Sequence, residues 1–274
     1  YFTYLNKQVY YDVSGRGEAL IILNGIMMST RSWEVFKEDF ARNFMFIRVD
    51  FLDQGQSDDM DTNYTQDIQV ELVKELIKEL KLSKVNIVGI SYGGEVALAF
   101  ACKYQELVSK LIVFNAVSYT NDLLIKTGRR WNKYAKDRNY QAYYDETIPV
   151  IYSDDFINNN EEWMQKRKTI LLNGPFSNHS FLDRMIRLTN SAESFDVRQE
   201  LKNLKLPVLL VGASEDKLTP LSSQEELQHL IPNARLIILP KVGHASMYEA
   251  PELFVMLVNG YLMLNKHNYI IWGE

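Results

Sequence analysis

Gly89-Ile90-Ser91-Tyr92-Gly93 sets a hydroxyl between two residues without side chains, and Gly94 follows directly. The run Val85-Asn86-Ile87-Val88 before it has the apolar character of a buried strand, and Glu95 to Ala101 after it reads as a helix. A strand that turns into a helix this abruptly brings the positions two before and two after the serine too close for side chains, so both are glycine. The turn also forces Ser91 into a strained backbone conformation. Its hydroxyl is held clear of the sheet, at the head of a helix whose free N–H groups favour developing negative charge. That is a setting for nucleophilic attack.

A serine hydroxyl attacks only when a base takes its proton. Of the four histidines, His179 lies in an aromatic middle block, His229 on a charged helix and His267 in the polar C-terminal stretch, and each reads as a surface or structural residue. His244, in Val242-Gly243-His244-Ala245, follows a strand and precedes the last helix, which places it at the carboxyl edge of a parallel sheet where sites collect. It is the expected base. The carboxylate that orients it is expected at Asp216, after the preceding strand and so at the same edge, with Glu215 as a neighbouring rival and Asp122 a more distant one. An oxyanion needs two donors. They are expected from the backbone N–H of Tyr92 and from Ile26 in Asn24-Gly25-Ile26-Met27-Met28, the loop after an early strand. Asn24, Met27, Met28, Met247 and the aromatic Trp131 and Tyr134 are the expected lining of a pliable apolar pocket.

The elements that position these residues alternate. Tyr4 to Tyr11 reads as a β-hairpin around an Asn-Lys turn. Then come strands at Ala19 to Leu23 and Met45 to Val49, separated by a helix around Ser32 to Phe40. Val70, Leu72, Val73, Leu76, Ile77 and Leu80 repeat at helical spacing within Thr65 to Leu80. After the serine turn comes a strand at Leu111 to Phe114. Strand–helix alternation then pauses over residues 119–195 and resumes with strands at Pro207 to Val211 and Arg235 to Leu239, helices near Ser222 to Leu230 and a last one over Pro251 to Leu264. The expected fold is α/β, a mostly parallel doubly wound sheet. Residues 1–118 and 196–274 form its two parts, with a helical cap over 119–195 inserted after the sixth strand.

Composition narrows the possibilities. With 30 basic and 35 acidic side chains the net charge is −5, and no basic stretch is interleaved with aromatics, so nucleic acid is not the expected partner. No apolar run approaches the ~18 residues of a membrane span. The single cysteine, Cys102, falls on an apolar helix face and reads as a core residue; one cysteine forms no internal disulfide, which points to a reducing, cytoplasmic setting. Residue 1 is tyrosine, so a removed leader stays open. No metal-ligand spacing occurs, and Gly15-Arg16-Gly17 lacks the rest of a dinucleotide fingerprint. No cofactor or metal is expected.

Leu23-Asn24-Gly25, Asp50 with Gly55-Gln56-Ser57, the serine turn, Asp216 with Pro220, and Gly243-His244 leading to Glu249-Ala250-Pro251 together resemble the α/β-hydrolase-fold serine enzymes over almost the whole chain. Asn24-Gly25 stands where most such enzymes carry His-Gly, and Leu52-Asp53 where many carry Pro-Gly. Through Leu23 to Trp33, Gly55-Gln56-Ser57 and Ser91 to Gly94, the first hundred or so residues are similar to the bacterial acyltransferases that join hydroxyacyl chains into the lipid half of rhamnolipids. The resemblance implies a Ser-His-Asp enzyme acting on a small-molecule acyl ester or thioester through an acyl-enzyme. Acyl transfer to a second hydroxyl is the alternative, and a ligand receptor on the same fold the third reading. A dehalogenase is disfavoured because its nucleophile would be aspartate. Oligomeric state stays open.

Overall fold

A computed structural model describes residues 1–264. A short hairpin, β1 (Phe2–Tyr4) and β2 (Lys7–Val9), precedes a seven-stranded sheet built from β3 (Tyr11–Ser14), β4 (Glu18–Leu23), β5 (Phe44–Val49), β6 (Val85–Ile90), β7 (Val108–Phe114), β8 (Val208–Ala213) and β9 (Ala234–Leu239). Its order is β3-β5-β4-β6-β7-β8-β9; β3 runs antiparallel to β5 and all other pairs are parallel. The chain enters at the edge strand β3, passes to β4, fills the gap between them with β5, then crosses to β6 and winds outward on the other side. The reversal between β4 and β6 leaves a crevice at their carboxyl ends.

The inner strands β4, β6 and β8 are buried on both faces, and alternate residues join different cores. Ala19, Ile21 and Leu23 of β4 pack into a cluster with α2 (Asp67–Glu79) and α3 (Tyr92–Lys103). Leu20 and Ile22 pack into an aromatic cluster with Trp33, Phe36, Phe40 and the last helix, α11 (Pro251–Met263). Phe254 of α11 is its hub, with ring centroids 4.9 Å from Phe114, 5.2 Å from Phe36, 5.9 Å from Phe40 and 6.0 Å from Trp33. The helix expected around Ser32 to Phe40 is a 3-10 stretch, Thr30–Phe36, running into α1 (Lys37–Ala41).

Between β7 and β8 the chain leaves the sheet and forms α4 (Asp122–Lys136), α5 (Tyr140–Thr147), α6 (Asp154–Asn159), α7 (Glu161–Leu172) and α8 (His179–Ser191). Local chemistry punctuates this block: Asn121, Asn139, Ser153 and Asn178 each accept a hydrogen bond from a backbone N–H in the first turn of the next helix. Outgoing and returning segments pair at its base, with Thr120 N–H bonded to Phe195 and Val197 N–H to Ser118. After β8 come α9 (Leu221–Leu230), β9, and a short helix α10 (Ser246–Glu249) before α11.

Two expectations are corrected. The hairpin turns at Leu5-Asn6, both with positive φ, so Tyr10-Tyr11 lies beyond it and Tyr11 opens the separate strand β3. The helical block therefore follows the seventh strand, not the sixth. β3 was hidden because it is only four residues long and its alternation, Tyr-Asp-Val-Ser, continues that of the hairpin strand with only Tyr10 between them.

Candidate active site

Ser91 sits between β6 and α3 with φ 52° and ψ −121°, a positive-φ conformation that glycine adopts freely and serine only under strain. A Cβ on Gly93 would lie 2.3 Å from the Leu23 carbonyl oxygen, and one on Gly89 would lie 2.4 Å from that of Gly93. The serine turn is therefore wedged against the end of β4, and only glycine fits on either side.

His244 reaches Ser91 from the loop after β9. Its Nε2 lies 2.8 Å from Ser91 Oγ and its Nδ1 2.7 Å from Asp216 Oδ2. Asp216 is further held by the N–H groups of Leu218 and Thr219, both 2.8 Å from Oδ1, and by the Thr219 hydroxyl, 2.7 Å from Oδ2. These donors leave the carboxylate one orientation, toward the imidazole. The partner of His244 is Asp216; neither Glu215 nor the exposed Asp122 bonds it. Two anchors fix the histidine loop. Asn115 donates to the Gly243 and His244 carbonyls. Glu249 accepts from Gly243 N–H and from the N–H and hydroxyl of Ser153, while Ala245 N–H donates to Ile151 at 2.7 Å. His179 bonds the Tyr140 hydroxyl at the surface and His229 lies on α9; His267 falls outside the described residues.

Tyr92 opens α3, so its N–H has no acceptor within the helix. Ile26 lies in the loop after β4, and its N–H donates no hydrogen bond within the described protein. Both loops end at the same crevice. Gln54 holds the second by donating to the carbonyls of Gly25 and Ile26.

The model of the alpha/beta hydrolase fold family matches residues 18–251. The chain belongs to that family. MGS-M2, an alpha/beta hydrolase enzyme from a Medee basin deep-sea metagenome library, is 47% identical, with a TM-score of 0.96 over 98% of this chain and 99% of its own. The pimeloyl-(acyl-carrier protein) methyl ester esterase of Nitrosomonas europaea is 24% identical over 257 residues, 90% of this chain and 96% of that protein. The 2-hydroxy-6-oxononadienedioate/2-hydroxy-6-oxononatrienedioate hydrolase of Paraburkholderia phymatum is 26% identical over 269 residues, 93% of this chain and 91% of its own.

In this α/β hydrolase, Ser91 and His244 open onto a cavity of about 310 Å³ beneath the helices between β7 and β8. Met27, Met28, Trp131 and Met247 line it, joined by Ile148, Ile151, Leu171 and Phe176. Asn24 and Tyr134 do not. Asn24 is fully buried below the loop, its amide spent on Val49, Gln54 and the Trp33 indole. Tyr134 lies a turn beyond the lining stretch of α4, packed against the hydrophobic core. Asn24 is thus a brace at the position where histidine is usual, because it alone links the strand end, Gln54 and Trp33.

Three polar residues around the site have no role assigned from sequence, where Asp53 reads as a solvated loop carboxylate. Glu95, one turn after Ser91, lines the cavity; burial pushes its carboxyl up to about 8 against the hydrogen bond from Gln66. Arg167 of α7 also lines it. Asp53, fully buried with φ 69°, receives a forked pair of hydrogen bonds from Arg187 of α8. Glu95 had a signal, an acidic residue on an apolar helix face. Asp53 meets a partner far away in sequence, and Arg167 packs near Trp163 of its own helix and near the more distant Tyr152 and Tyr248. Burial pushes the half-buried Cys102 thiol up to about 12, so it stays protonated and unreactive at neutral pH. No helix of the described residues is long and apolar enough to cross a membrane, and they contain no group of three or more metal-type ligands.

Proposed function

We propose that this α/β hydrolase is a serine esterase or thioesterase that acts on small acyl esters, with Ser91, His244 and Asp216 as its triad. One observation carries the reading: an unbroken hydrogen-bonded line from Asp216 through His244 to Ser91, ending at the floor of a largely apolar cavity. With its Nδ1–H donated to Asp216, the imidazole presents a bare Nε2 to Ser91. Ser91 Oγ bonds the acyl carbon as its proton passes to Nε2, and the carbonyl oxygen becomes an oxyanion between the N–H groups of Tyr92 and Ile26. Each such donor contributes about 2.7–4 kcal/mol to the transition state. The imidazolium then hands its proton to the departing alcohol or thiol. Water, deprotonated by the same Nε2, releases the acid and restores the serine.

The helices between residues 119 and 195 serve as the cap in this reading. They roof the cavity, keep bulk water from the acyl-enzyme and, at about 310 Å³, set a volume at the small end of ligand pockets. The likeness to hydroxyacyl transferases rests on residues that brace the oxyanion loop, Asn24 and Trp33 among them. It bears on the shared first step, attack by serine, and leaves hydrolysis as the simpler outcome.

Turnover of p-nitrophenyl esters with two to twelve acyl carbons tests the proposal. Release should peak at short to medium chains and vanish in Ser91→Ala, with rapid fluorophosphonate labelling of the wild-type serine. Equal rates in the variant would refute the serine mechanism. Appearance of a dimeric ester from a hydroxyacyl thioester would move the assignment to transfer.

A further inference from the structure

Among the described residues Arg167 is a cation without a counter-ion. It projects from α7 to the cavity that Ser91 and His244 also line. Among the described residues its guanidinium makes no hydrogen bond and no ion pair, and its Nε–H is buried without an acceptor. Its neighbours are aromatic. The guanidinium carbon lies 5.2 Å from the ring centroid of Tyr248, 5.4 Å from that of Trp163 and 5.9 Å from that of Tyr152. These cation–π contacts restrain the side chain without using its N–H donors, which leaves the fork free for a ligand.

The charges around it sharpen the point. Of the two carboxyls that line the same cavity, Glu193 is paired with Arg129 and Glu95 keeps its proton to about 8. Glu249, at the end of α10, does not line the cavity, and its oxygens face Ser153 and Gly243. At neutral pH the cavity therefore holds one uncompensated positive charge against apolar walls. A planar fork of this kind matches a carboxylate, and the weakly hydrated guanidinium loses little when water leaves.

We infer that the natural substrate is an ester or thioester that carries a carboxylate elsewhere in the molecule, and that Arg167 binds this group while the reacting carbonyl lies at Ser91. The inference rests on the esterase reading above. It makes Arg167 a specificity residue for a carboxylate-bearing ester, remote from the bond that breaks.

Two matched pairs of probes test it, with acid release followed by pH-stat. In one, monomethyl and dimethyl glutarate, the carboxylate belongs to the acyl part; in the other, 4-acetoxybutanoate and its methyl ester, to the alcohol part. The wild type should favour the charged member of at least one pair by about ten-fold or more in kcat/KM, the range of a charge-assisted hydrogen bond. That ratio should fall toward one in Arg167→Gln and lie between in Arg167→Lys, which keeps charge but loses the fork. No preference in either pair, or a preference that survives Arg167→Gln, would overturn the inference while leaving the esterase standing. Calorimetry on the Ser91→Ala protein separates the two readings: monomethyl glutarate or 4-acetoxybutanoate should bind about ten-fold more tightly than to Ser91→Ala/Arg167→Gln. Equal binding of both probes to the two proteins refutes the carboxylate site even if no ester is turned over.

Discussion

At the scale of single residues, the site juxtaposes a polar line built for proton transfer with one carboxyl built to stay neutral. Glu95 keeps its proton in the folded protein to about 8, against an ordinary 4.5, because burial disfavours its charge. Its folded-state value is raised, so its contribution to stability is complete below about 4.5 and is lost as pH rises toward about 8. Beyond that, an ionised Glu95 burdens only the folded chain, by an amount on the order of a few kcal/mol. Thermal unfolding between pH 6 and 9 should show the wild-type midpoint falling more steeply than that of Glu95→Gln, which keeps the bond from Gln66 without a charge to bury. Parallel curves would mean that water reaches Glu95 and the burial is only apparent. The hydrogen-bonded grouping of Ser91, His244 and Asp216 was legible from sequence because each position is marked locally, in a two-glycine turn or in a loop that follows a strand. Arg167 was not, since an arginine on a polar helix looks like any solvated side chain until three aromatic rings, up to 81 positions away in Tyr248, close around it.

At the scale of elements, the roof is fastened to the core at named points. Arg187 and Arg184 of α8 reach the loop after β5: Arg187 forks onto Asp53, and Arg184 meets Asp59 and the Gly55 carbonyl. Asp53 has no solvent exposure, so Arg187→Ala strands a buried charge and should cost about 3 kcal/mol in urea unfolding, the low end for a broken buried pair because Arg187 retains some contact with water. Asp53→Asn in the same chain should recover part of that loss. A change below about 0.5 kcal/mol would class the contact with ordinary surface pairs. The core strands were visible in sequence as apolar runs, since a parallel sheet covered on both sides leaves no polar face. The roof was visible only as a pause in that rhythm. Its helices are cut by Asn and Ser caps that also suit loops, and Asp53 read as a solvated carboxylate because its partner lies 134 residues on.

Over the whole molecule, two cores share one sheet, and the aromatic one reaches the cavity through Ile90 and Met247. The aromatic cluster around Phe254 lies on the far face, built from the Thr30–Phe36 stretch, α1 and the last helix. Phe254→Ala should cost about 3–5 kcal/mol of stability, measured by denaturant unfolding, with the Ser91 labelling rate at low temperature little changed. Loss of labelling in the folded variant would show that the two faces are not independent. On the near face, the segment 151–153 is stitched to the histidine loop through Ala245 N–H and Glu249, and Gly243 runs so close that a Cβ there would lie 2.5 Å from Ser153 N. Roof and base are thus mechanically one piece along this seam. Under the proposed mechanism, displacing 151–153 would drag the residue after His244 and take Nε2 away from Ser91, so an opened molecule would also be a disarmed one. Entry of substrate past another edge of the roof would then leave esters met by an unseated cap intact.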